Sequence, residues 1–265
     1  MPDIPVLGPL QALYFTMKNR SRAKAFSTWA GKHGLQFAAN GRAFTPPENV
    51  DDSEDASSFM EHGSRASGIF NGLCGGSKIQ IAYPQFASNR FRGDWQTEKN
   101  ICWGTWKGHT VITWDTVFYE LQADSDVDWS EGEFSSVLVL TDTPLHRIQL
   151  TPNTIGNRLR ATAIEEGAGL LSLHAVEFEP AAFNKAYRVK ARDKGWTRAV
   201  IDQAMIKWMM ESKKHTMEIA PGGIMVSTWF TLKPEQIEAE LDFCTGFLER
   251  IPEELKHRAL EETPA

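Results

Sequence analysis

Two stretches rich in β-branched and aromatic residues constrain the fold more than any other feature of this sequence. Residues 101–106 and 110–118 both have the composition of strands, and Lys107 and Gly108 between them form a turn of hairpin length. Further strand candidates follow at residues 135–140, 146–150, 171–178, 187–192, 216–219 and 224–230. A sheet that contains a tight hairpin is antiparallel at that point, because parallel neighbours need a much longer connection.

Three segments have the spacing of apolar residues that is typical of helices. They cover residues 21–33, residues 197–211 and Pro234–Arg250. A proline suits the first turn of the last segment, and Pro252 follows its end. The order of helices and strands predicts an α+β fold, in which an N-terminal helix and two C-terminal helices pack on an antiparallel sheet built from hairpins.

The composition changes along the chain in a way that predicts its organisation. Residues 40–68 are polar, and the acidic, turn-rich run within them cannot bury enough apolar area to order itself. We therefore expect an N-terminal helix and a long polar loop region over residues 1–95. An α+β core domain follows over residues 96–252, and residues 253–265 form a frayed tail.

The overall composition excludes several classes of protein. Apolar residues make up 42% and charged residues 23% of the 265 residues, as in ordinary globular proteins. The net charge of −6 argues against a broad electrostatic interaction with nucleic acid or with an anionic membrane surface. The sequence has neither an apolar run of about 18 residues nor the pattern of a secretory signal peptide.

The three cysteines favour a reducing compartment. Cys102 and Cys244 lie in apolar stretches, and we expect them to be buried free thiols. Cys74 lies in the glycine-rich segment 72–78, which ends in a lysine but lacks the spacing of a phosphate-binding loop. Residues 79–82 look like a strand, whereas a phosphate-binding loop precedes a helix. These features predict a cytoplasmic protein with a flexible turn at Cys74.

Two motifs lie near residues 176–189 and at residues 100–108. The first contains a Phe-Asn-x-x-aromatic-x-Val unit that starts at Phe183, and the second contains an Asn-x-x-x-Gly-x-x-x-Gly hairpin that starts at Asn100. Both resemble the hallmarks of a family of bacterial proteins, largely actinobacterial, that carries a domain of unknown function. The resemblance covers about residues 100–252. It implies no activity, cofactor or catalytic residue, and many family members carry membrane-spanning helices that this sequence lacks.

The residues of these motifs also have a structural interpretation. Phe178, Phe183 and Tyr187 can pack at a sheet edge. Asn184 and Asp193 can cap turns through side-chain hydrogen bonds to the backbone. On this interpretation the motifs specify a fold and no chemistry.

Local motifs for metal binding and nucleophilic catalysis are missing from the sequence. The seven histidines are scattered singly, without a His-Glu-x-x-His or Cys-x-x-Cys pair. A metal site assembled in space from His109, His146, His174 and a carboxylate stays an alternative. No metal and no cofactor is predicted, and no Gly-x-Ser-x-Gly nucleophile motif occurs.

An enzyme with this sequence would need a site assembled from distant residues. Glu177 and Glu179 share one face of a predicted strand. Asp115, His146 and His174 are the further candidates for acid–base chemistry. The solvated outer face of a half-buried strand also explains the two glutamates.

Tryptophans are the most unusual compositional feature, with nine in the chain. Trp103, Trp106 and Trp114 crowd the predicted hairpin. Those that point inward belong to the core, whereas any that are exposed would form a binding patch, because tryptophan is enriched at interface hot spots.

A basic stretch is the second candidate for partner binding. Arg188, Lys190 and Arg192 would lie on one face of a strand. Such a face can meet phosphates, an acidic partner surface or the protein's own acidic loops. A basic strand at the edge of a sheet also prevents aggregation.

Three functional hypotheses follow from these patterns. The first is a soluble, non-catalytic interaction or accessory protein whose aromatic-rich sheet face binds a protein partner and not nucleic acid. The second is a small-ligand-binding domain with a pocket between the sheet and the helix at 197–211, lined by Met205, Met209 and Met210. The third is the enzyme with a spatially assembled carboxylate and histidine site.

Overall fold

A computed structural model describes residues 9–47, 79, 82–83, 85–86, 95–121, 129–153, 173–228 and 230–256 of the chain. These residues form two units. Unit 1 contains the described residues up to Val137 together with residues 230–238, and unit 2 contains the others.

Both units contain helices and strands. In chain order the described helices of at least four residues are α1 (Pro9–Lys32), α2 (Ala181–Ala186), α3 (Lys194–Val200), α4 (Gln203–Glu211), α5 (Pro234–Arg250) and α6 (Glu253–Lys256). The strands in the described ranges are β1 (Gln36–Asn40), β2 (Trp95–Trp106), β3 (His109–Leu121), β4 (Trp129–Leu140), β5 (Ile148–Pro152), β6 (His174–Val176), β7 (Tyr187–Ala191), β8 (Thr216–Ala220) and β9 (Gly223–Ser227). A 3₁₀ turn covers Gly41–Ala43.

The sheet of unit 1 has the strand order β1-β2-β3-β4. β1 pairs antiparallel with β2, and β2 pairs antiparallel with β3 across the turn at Lys107 and Gly108. The hairpin predicted at residues 101–118 is therefore confirmed, and both of its strands are longer than predicted. β1 belongs to the predicted N-terminal region 1–95, yet it extends the sheet of the predicted core domain.

α1 packs through an apolar stripe that the sequence pattern predicts. Phe26, Trp29 and Ala30 recur at helical spacing and are buried. The helix ends where Gly34 adopts a φ of 70°, the left-handed conformation that glycine reaches without strain. The sequence pattern predicts that this helix starts at residue 21, but it begins at Pro9. Proline is compatible with a first helical position, so it can start the helix there.

A buried carboxylate joins the elements of unit 1. The two oxygens of Asp115 on β3 accept hydrogen bonds from Nε and Nη2 of Arg22 on α1, at 2.7 and 2.8 Å. The Ser135 hydroxyl on β4 donates to the same carboxylate at 2.6 Å, and Arg22 Nη2 also donates to the Leu232 carbonyl at 2.7 Å. Ser135 Oγ accepts from the Leu232 amide at 2.8 Å. One carboxylate thus connects a helix, two strands and the segment before α5.

A β-bulge in β2 supplies a further donor to this carboxylate. The pairing of β2 with β3 shifts between Lys99 and Cys102. Within the bulge, Asn100 has a φ of 52°, a conformation that asparagine tolerates better than most residues. Its side-chain amide donates to Asp115 Oδ2 at 2.7 Å. The bulge therefore directs Asn100 toward the buried negative charge.

The sheet of unit 2 has the order β9-β8-β5-β7-β6, and its neighbouring strands pair antiparallel. β8 and β9 form a tight hairpin through Pro221 and Gly222, where Gly222 has a φ of 88°. Together with the helices, these antiparallel strands confirm the predicted α+β fold.

The predicted helix at residues 197–211 is wrong as a single element, because α3 and α4 replace it. Ile201 leaves the helical conformation with a ψ of 66°, and the Asp202 side chain then accepts a hydrogen bond from the Met205 amide at 2.8 Å. An aspartate that caps the next helix competes with continuation of the previous one.

The motif residues near β7 have the structural roles that the sequence predicts. Asp193 caps α3 by accepting from the Trp196 amide at 2.9 Å. The Asn184 side chain accepts from the Phe178 amide at 3.0 Å and donates to the Phe178 carbonyl at 2.7 Å. Phe178, Phe183 and Tyr187 pack in sequence, with ring centroids 5.3 and 5.2 Å apart.

Two further expectations concern residues near the described ranges. Ile79 and Ala82 are helical, and the Tyr83 amide donates to the Ile79 carbonyl at 2.9 Å, so the strand predicted at residues 79–82 is wrong at these positions. Segment 72–78, including Cys74, lies outside the described residues. None of the described helices, the 24-residue α1 included, has the combination of length and apolarity that crossing a membrane requires.

The Asp115 carboxylate is expected to dominate the stability of unit 1. Asp115→Ala leaves Arg22 without its buried counter-ion, which should lower the free energy of unfolding by about 3 kcal/mol. Asp142→Ala, at an exposed position, should change it by less than about 0.5 kcal/mol. Urea unfolding followed by circular dichroism measures both. Equally small decreases in unfolding free energy for the two variants would show that the Asp115 carboxylate does not hold these elements together.

Candidate functional site

The three predicted partner-binding tryptophans do not form one surface. Trp114 is 2% exposed, Trp103 is 9% exposed, and the pairing of Trp103 with Ile112 places both indoles on one side of the β2–β3 hairpin. Trp106 lies on the opposite side, half-buried, with ring centroids 6.2 Å from Trp29 and 5.0 Å from His33. These indoles are therefore largely packed inside unit 1.

An open groove of about 370 Å³ borders Trp103 in unit 1. The other lining residues are Gln36, Thr45, Pro46, Pro47, Gly104, Thr105 and Thr110. None of these side chains is charged, so the groove presents no charge that would select a ligand. Sequence patterns do not reveal it because its walls come from three strands and from the segment after the 3₁₀ turn.

The methionines predicted to line a pocket have different environments in unit 2. Met205 and Met209 are each 1% exposed, whereas Met210 is 42% exposed. Met205 and Met209 lie on the buried face of α4, together with Ile206. The three side chains therefore do not line a common surface.

The candidates for acid–base chemistry belong to both units, and each unit is described by itself. Asp115 is held by the hydrogen bonds of unit 1, described above. In unit 2, Nδ1 of His146 lies 3.7 Å from Asp193 Oδ2, and its ring packs 4.7 Å from that of Trp196. His174 is exposed on β6.

Glu177 and Glu179 are exposed in the segment between β6 and α2. Side chains from α3 and α4 bind this segment through its backbone: Arg198 donates to the Glu177 carbonyl at 3.4 Å, and Gln203 donates to the Glu179 carbonyl at 2.5 Å. Within the described ranges, no three His, Cys, Asp or Glu side chains come together in a way that could hold a metal ion.

The three predicted basic residues, in contrast, share one region of the unit 2 sheet. β5 pairs with β7 so that Gln149 lies opposite Lys190 and Thr151 lies opposite Arg188. The alternate residues of both strands are apolar and buried. We call the polar side the basic face. It comprises Arg147, Gln149, Thr151, Arg188, Lys190, Arg192 and Glu218.

Arg192 continues the row of cations just beyond the end of β7. Its amide donates to the Arg147 carbonyl at 3.2 Å, which keeps its backbone beside β5. Burial lowers the pKa of Arg147, Glu218 raises it, and the nearby charge of Arg192 lowers it further. Arg147 and Arg192 are therefore close enough to repel each other.

A buried ion pair anchors one end of the basic face. Arg147 Nη1 lies 3.1 Å from Glu218 Oε1, and the Glu218 side chain is fully buried on β8. Glu218 lies opposite Gln149 in the β5–β8 register, so the pair sits within the basic face. Within the basic face, the Arg147 guanidinium is therefore paired with the buried Glu218 carboxylate.

The position of β7 in the sheet shows whether its cations protect a sheet edge. β7 pairs with β5 on one side and with β6 on the other, so it is not an edge strand. Protection of a sheet edge against aggregation therefore does not account for Arg188 and Lys190. Both side chains are half-buried, whereas Arg192 is exposed.

Sequence reasoning did not identify a second charged cluster in unit 2. Glu240 on α5 is buried, with His215 Nδ1 at 2.5 Å from Oε2 and Lys213 Nζ at 3.0 Å from Oε1. The His215 ring stacks on Phe243 with centroids 3.8 Å apart. Burial alone would raise the pKa of Glu240, but its hydrogen bonds and the positive charges of His215 and Lys213 lower it below its ordinary value. No local sequence pattern indicates this cluster, because Lys213 and His215 lie in the loop after α4 and Glu240 lies further along the chain on α5.

The Met205 side chain is expected to be a core element of unit 2 and not the wall of a cavity. Met205→Ala should lower the free energy of unfolding by about 2–3 kcal/mol, because it removes a buried side chain. Met210→Ala should change it by less than about 0.5 kcal/mol. Urea unfolding of the two variants measures the difference. A loss near zero for Met205→Ala would indicate a pre-existing cavity beside it.

The lowered pKa of Glu240 predicts a pH-dependent contribution to stability. A carboxyl whose pKa is lower in the folded chain stabilises it above the unfolded pKa of about 4.3, and this contribution is lost as the pH falls through the folded value. The difference in unfolding free energy between wild type and Glu240→Gln should be largest near neutral pH and should shrink below about pH 4. Glu211→Gln, at an exposed position on α4, is the matched control and should show a small difference at every pH. A pH-independent difference for Glu240→Gln would contradict the prediction.

Comparisons with known proteins add little to this description. No protein-family model matches the chain, and no curated protein matches it. Among solved structures, the crystal structure of the mycobacterial trehalose monomycolate transport factor A, TtfA, is similar to this chain at 11% sequence identity and a TM-score of 0.46. The match covers 88% of this chain and 97% of that chain. A similarity at this level carries no inference about function, which rests on the residues of this chain.

Proposed function

We propose that this chain is a non-catalytic interaction protein, and that the basic face of unit 2 binds an acidic segment of a partner protein. The observation that carries the proposal is the β5–β7 register. It places Arg188 and Lys190 on one side of the sheet, opposite the uncharged polar side chains of Thr151 and Gln149. Charge complementarity then defines the partner as acidic.

The half-buried state of Arg188 and Lys190 supports a binding role. Long basic side chains usually pack their alkyl stems on the surface beside them, which fits the half-burial of these two side chains. An ion pair formed on such a surface loses less side-chain entropy than one between two fully exposed side chains, since part of the rotamer freedom is already lost. Half-burial therefore lowers the entropy cost of binding at these two side chains.

An acidic protein segment suits this face better than nucleic acid. The chain has a net charge of −6, which repels a long polyanion over much of its surface. Nonspecific nucleic-acid binding usually combines many phosphate contacts with aromatic stacking. The residues that form the basic face offer four cations, and none of them is aromatic.

We propose a cytoplasmic setting for this interaction. Cys102 and Cys244 are buried free thiols, and burial raises the pKa of Cys102 to about 12. Free thiols are the form that a reducing compartment maintains.

Charge reversal at Lys190, which lies between Arg188 and Arg192 on the basic face, tests the proposal. A fluorescein-labelled peptide of ten glutamates is titrated with the full chain in 50 mM NaCl and followed by fluorescence anisotropy. Lys190→Glu should weaken binding by about tenfold, because it replaces an attraction with a repulsion. Raising the salt to 300 mM should weaken binding of the wild type, since the added ions screen the contact.

Lys207→Glu is the matched control, because it makes the same change of charge at an exposed position on α4. It should alter binding by less than about twofold. Equal losses for Lys190→Glu and Lys207→Glu would overturn the proposal, as would the absence of binding in wild type. Tighter binding of a ten-residue oligothymidylate would assign the face to nucleic acid instead.

A further inference from the structure

We infer that the uncharged groove of unit 1, which borders Trp103, binds a neutral carbohydrate of one or two sugar rings. This inference does not depend on the proposed function, because it concerns other residues in the other unit. It follows from the side chains that the strand register brings to the groove and from their lack of charge.

The register of three strands places four groove residues on one side of the sheet of unit 1. Gln36 on β1 lies opposite Trp103 on β2, and Thr105 on β2 lies opposite Thr110 on β3. Trp103 and Thr105 are two residues apart on the same strand, so all four side chains point to the same side. α1 packs on the other side, against Trp106, and therefore does not cover them.

The segment after the 3₁₀ turn forms another wall of the groove. Phe44 is fully buried, and its ring meets that of Trp103 edge-on with the centroids 5.1 Å apart. The next three residues, Thr45, Pro46 and Pro47, line the groove. Because proline fixes its own φ, this wall loses little backbone freedom when a ligand binds.

The polar side chains of the groove are available to a ligand. Gln36 and Thr105 are exposed, and Thr110 is half-buried. Within the described part of the chain, none of these three side chains forms a hydrogen bond to another residue. Each hydroxyl can donate one hydrogen bond and accept two, and the Gln36 amide group both donates and accepts. A ligand rich in hydroxyl groups can therefore pair with all three.

The lining of the groove disfavours both charged and wholly apolar ligands. None of the lining residues is charged, so a charged ligand would lose water without gaining a counter-ion. An apolar ligand would take the hydroxyl and amide groups out of water without replacing their hydrogen bonds, which costs free energy. The lining thus favours a neutral ligand that carries its own donors and acceptors.

The size of the groove and the burial of its indole narrow the ligand further. Small-molecule sites usually have volumes of about 300–1,000 Å³, and this groove, at about 370 Å³, is at the small end of that range. Trp103 is 9% exposed, so it offers no open ring face on which a nucleobase could stack. A peptide strand would need the backbone groups of a sheet edge, whereas this groove lies on a face of the sheet, where side chains point. A small sugar fits these conditions.

Three ligands with six-membered rings test the inference on the isotope-labelled full chain: methyl β-glucoside, methyl β-glucuronide and cyclohexanol. Each is titrated to 50 mM while the backbone amide shifts are recorded. The neutral glucoside should give saturable shifts at Gln36, Thr105 and Thr110 and should leave Thr151 of unit 2 unchanged. The anionic glucuronide and the largely apolar cyclohexanol should bind at least about fivefold more weakly.

The loss of one hydroxyl locates the binding on the chain. Thr105→Val keeps the branched shape of the side chain and removes its hydroxyl, so it should weaken glucoside binding by about threefold to tenfold. Thr28→Val makes the same change at an exposed position on α1 and should alter binding by less than about twofold.

Three outcomes would overturn the inference. They are the absence of a saturable shift with the glucoside, equal or tighter binding of the glucuronide or of cyclohexanol, and equal effects of Thr105→Val and Thr28→Val. Failure of the ten-glutamate peptide to bind would bear only on the proposed function, because that peptide tests the basic face of unit 2.

Discussion

The register between β5 and β7 determines which side chains of these two strands enter the core of unit 2 and which lie on the basic face. Because side chains alternate along a strand, pairing Gln149 with Lys190 fixes the side on which every other residue of both strands lies. Ile148, Leu150 and Val189 enter the core on one side. A shift of one residue would move the cations into that core, where an unpaired charge is strongly unfavourable. Hydrophobic burial therefore also specifies the position of the basic face.

Buried carboxylates stabilise both units in a similar way. Asp115 accepts from Arg22 and two further side chains in unit 1, while Glu218 and Glu240 pair with Arg147 and His215 in unit 2. A carboxylate that loses water on burial is tolerated only when hydrogen bonds and an opposite charge replace it. In each of the three cases, a hydrogen-bond donor with an opposite charge faces the buried carboxylate within its unit. Arg192 of the basic face, in contrast, is exposed.

Local patterns predicted much of the fold. The hairpin at residues 101–118, the last helix Pro234–Arg250 and the α+β class follow from periodicity and turn chemistry, which act between neighbours in sequence. The break between α3 and α4 does not follow from local patterns, because the Asp202 cap competes with an apolar stripe that continues through it. The start of α1 also differs from the prediction, because the helix begins at Pro9 and not at residue 21.

The sites were harder to predict than the elements. Alternation placed Arg188 and Lys190 on one face correctly, because that property depends on a single strand. Whether Trp103 or Trp114 is exposed depends on what covers the hairpin, and no local pattern encodes it. The clusters around Asp115 and Glu240 join residues that are far apart in the chain, such as Arg22 with Asp115 and His215 with Glu240. Their partners become evident only once the strands are paired.

The most direct test of the account is a chemical-shift map of the isotope-labelled chain with the unlabelled ten-glutamate peptide. Binding at the basic face should shift the backbone amides of Thr151, Arg188, Lys190 and Arg192 most strongly. The amides of Gln36 and Thr105, beside the uncharged groove of unit 1, should stay unchanged. Shifts concentrated at the groove, or spread evenly over the lysines and arginines of both units, would contradict the claim that the β5–β7 register creates a specific site for an acidic partner.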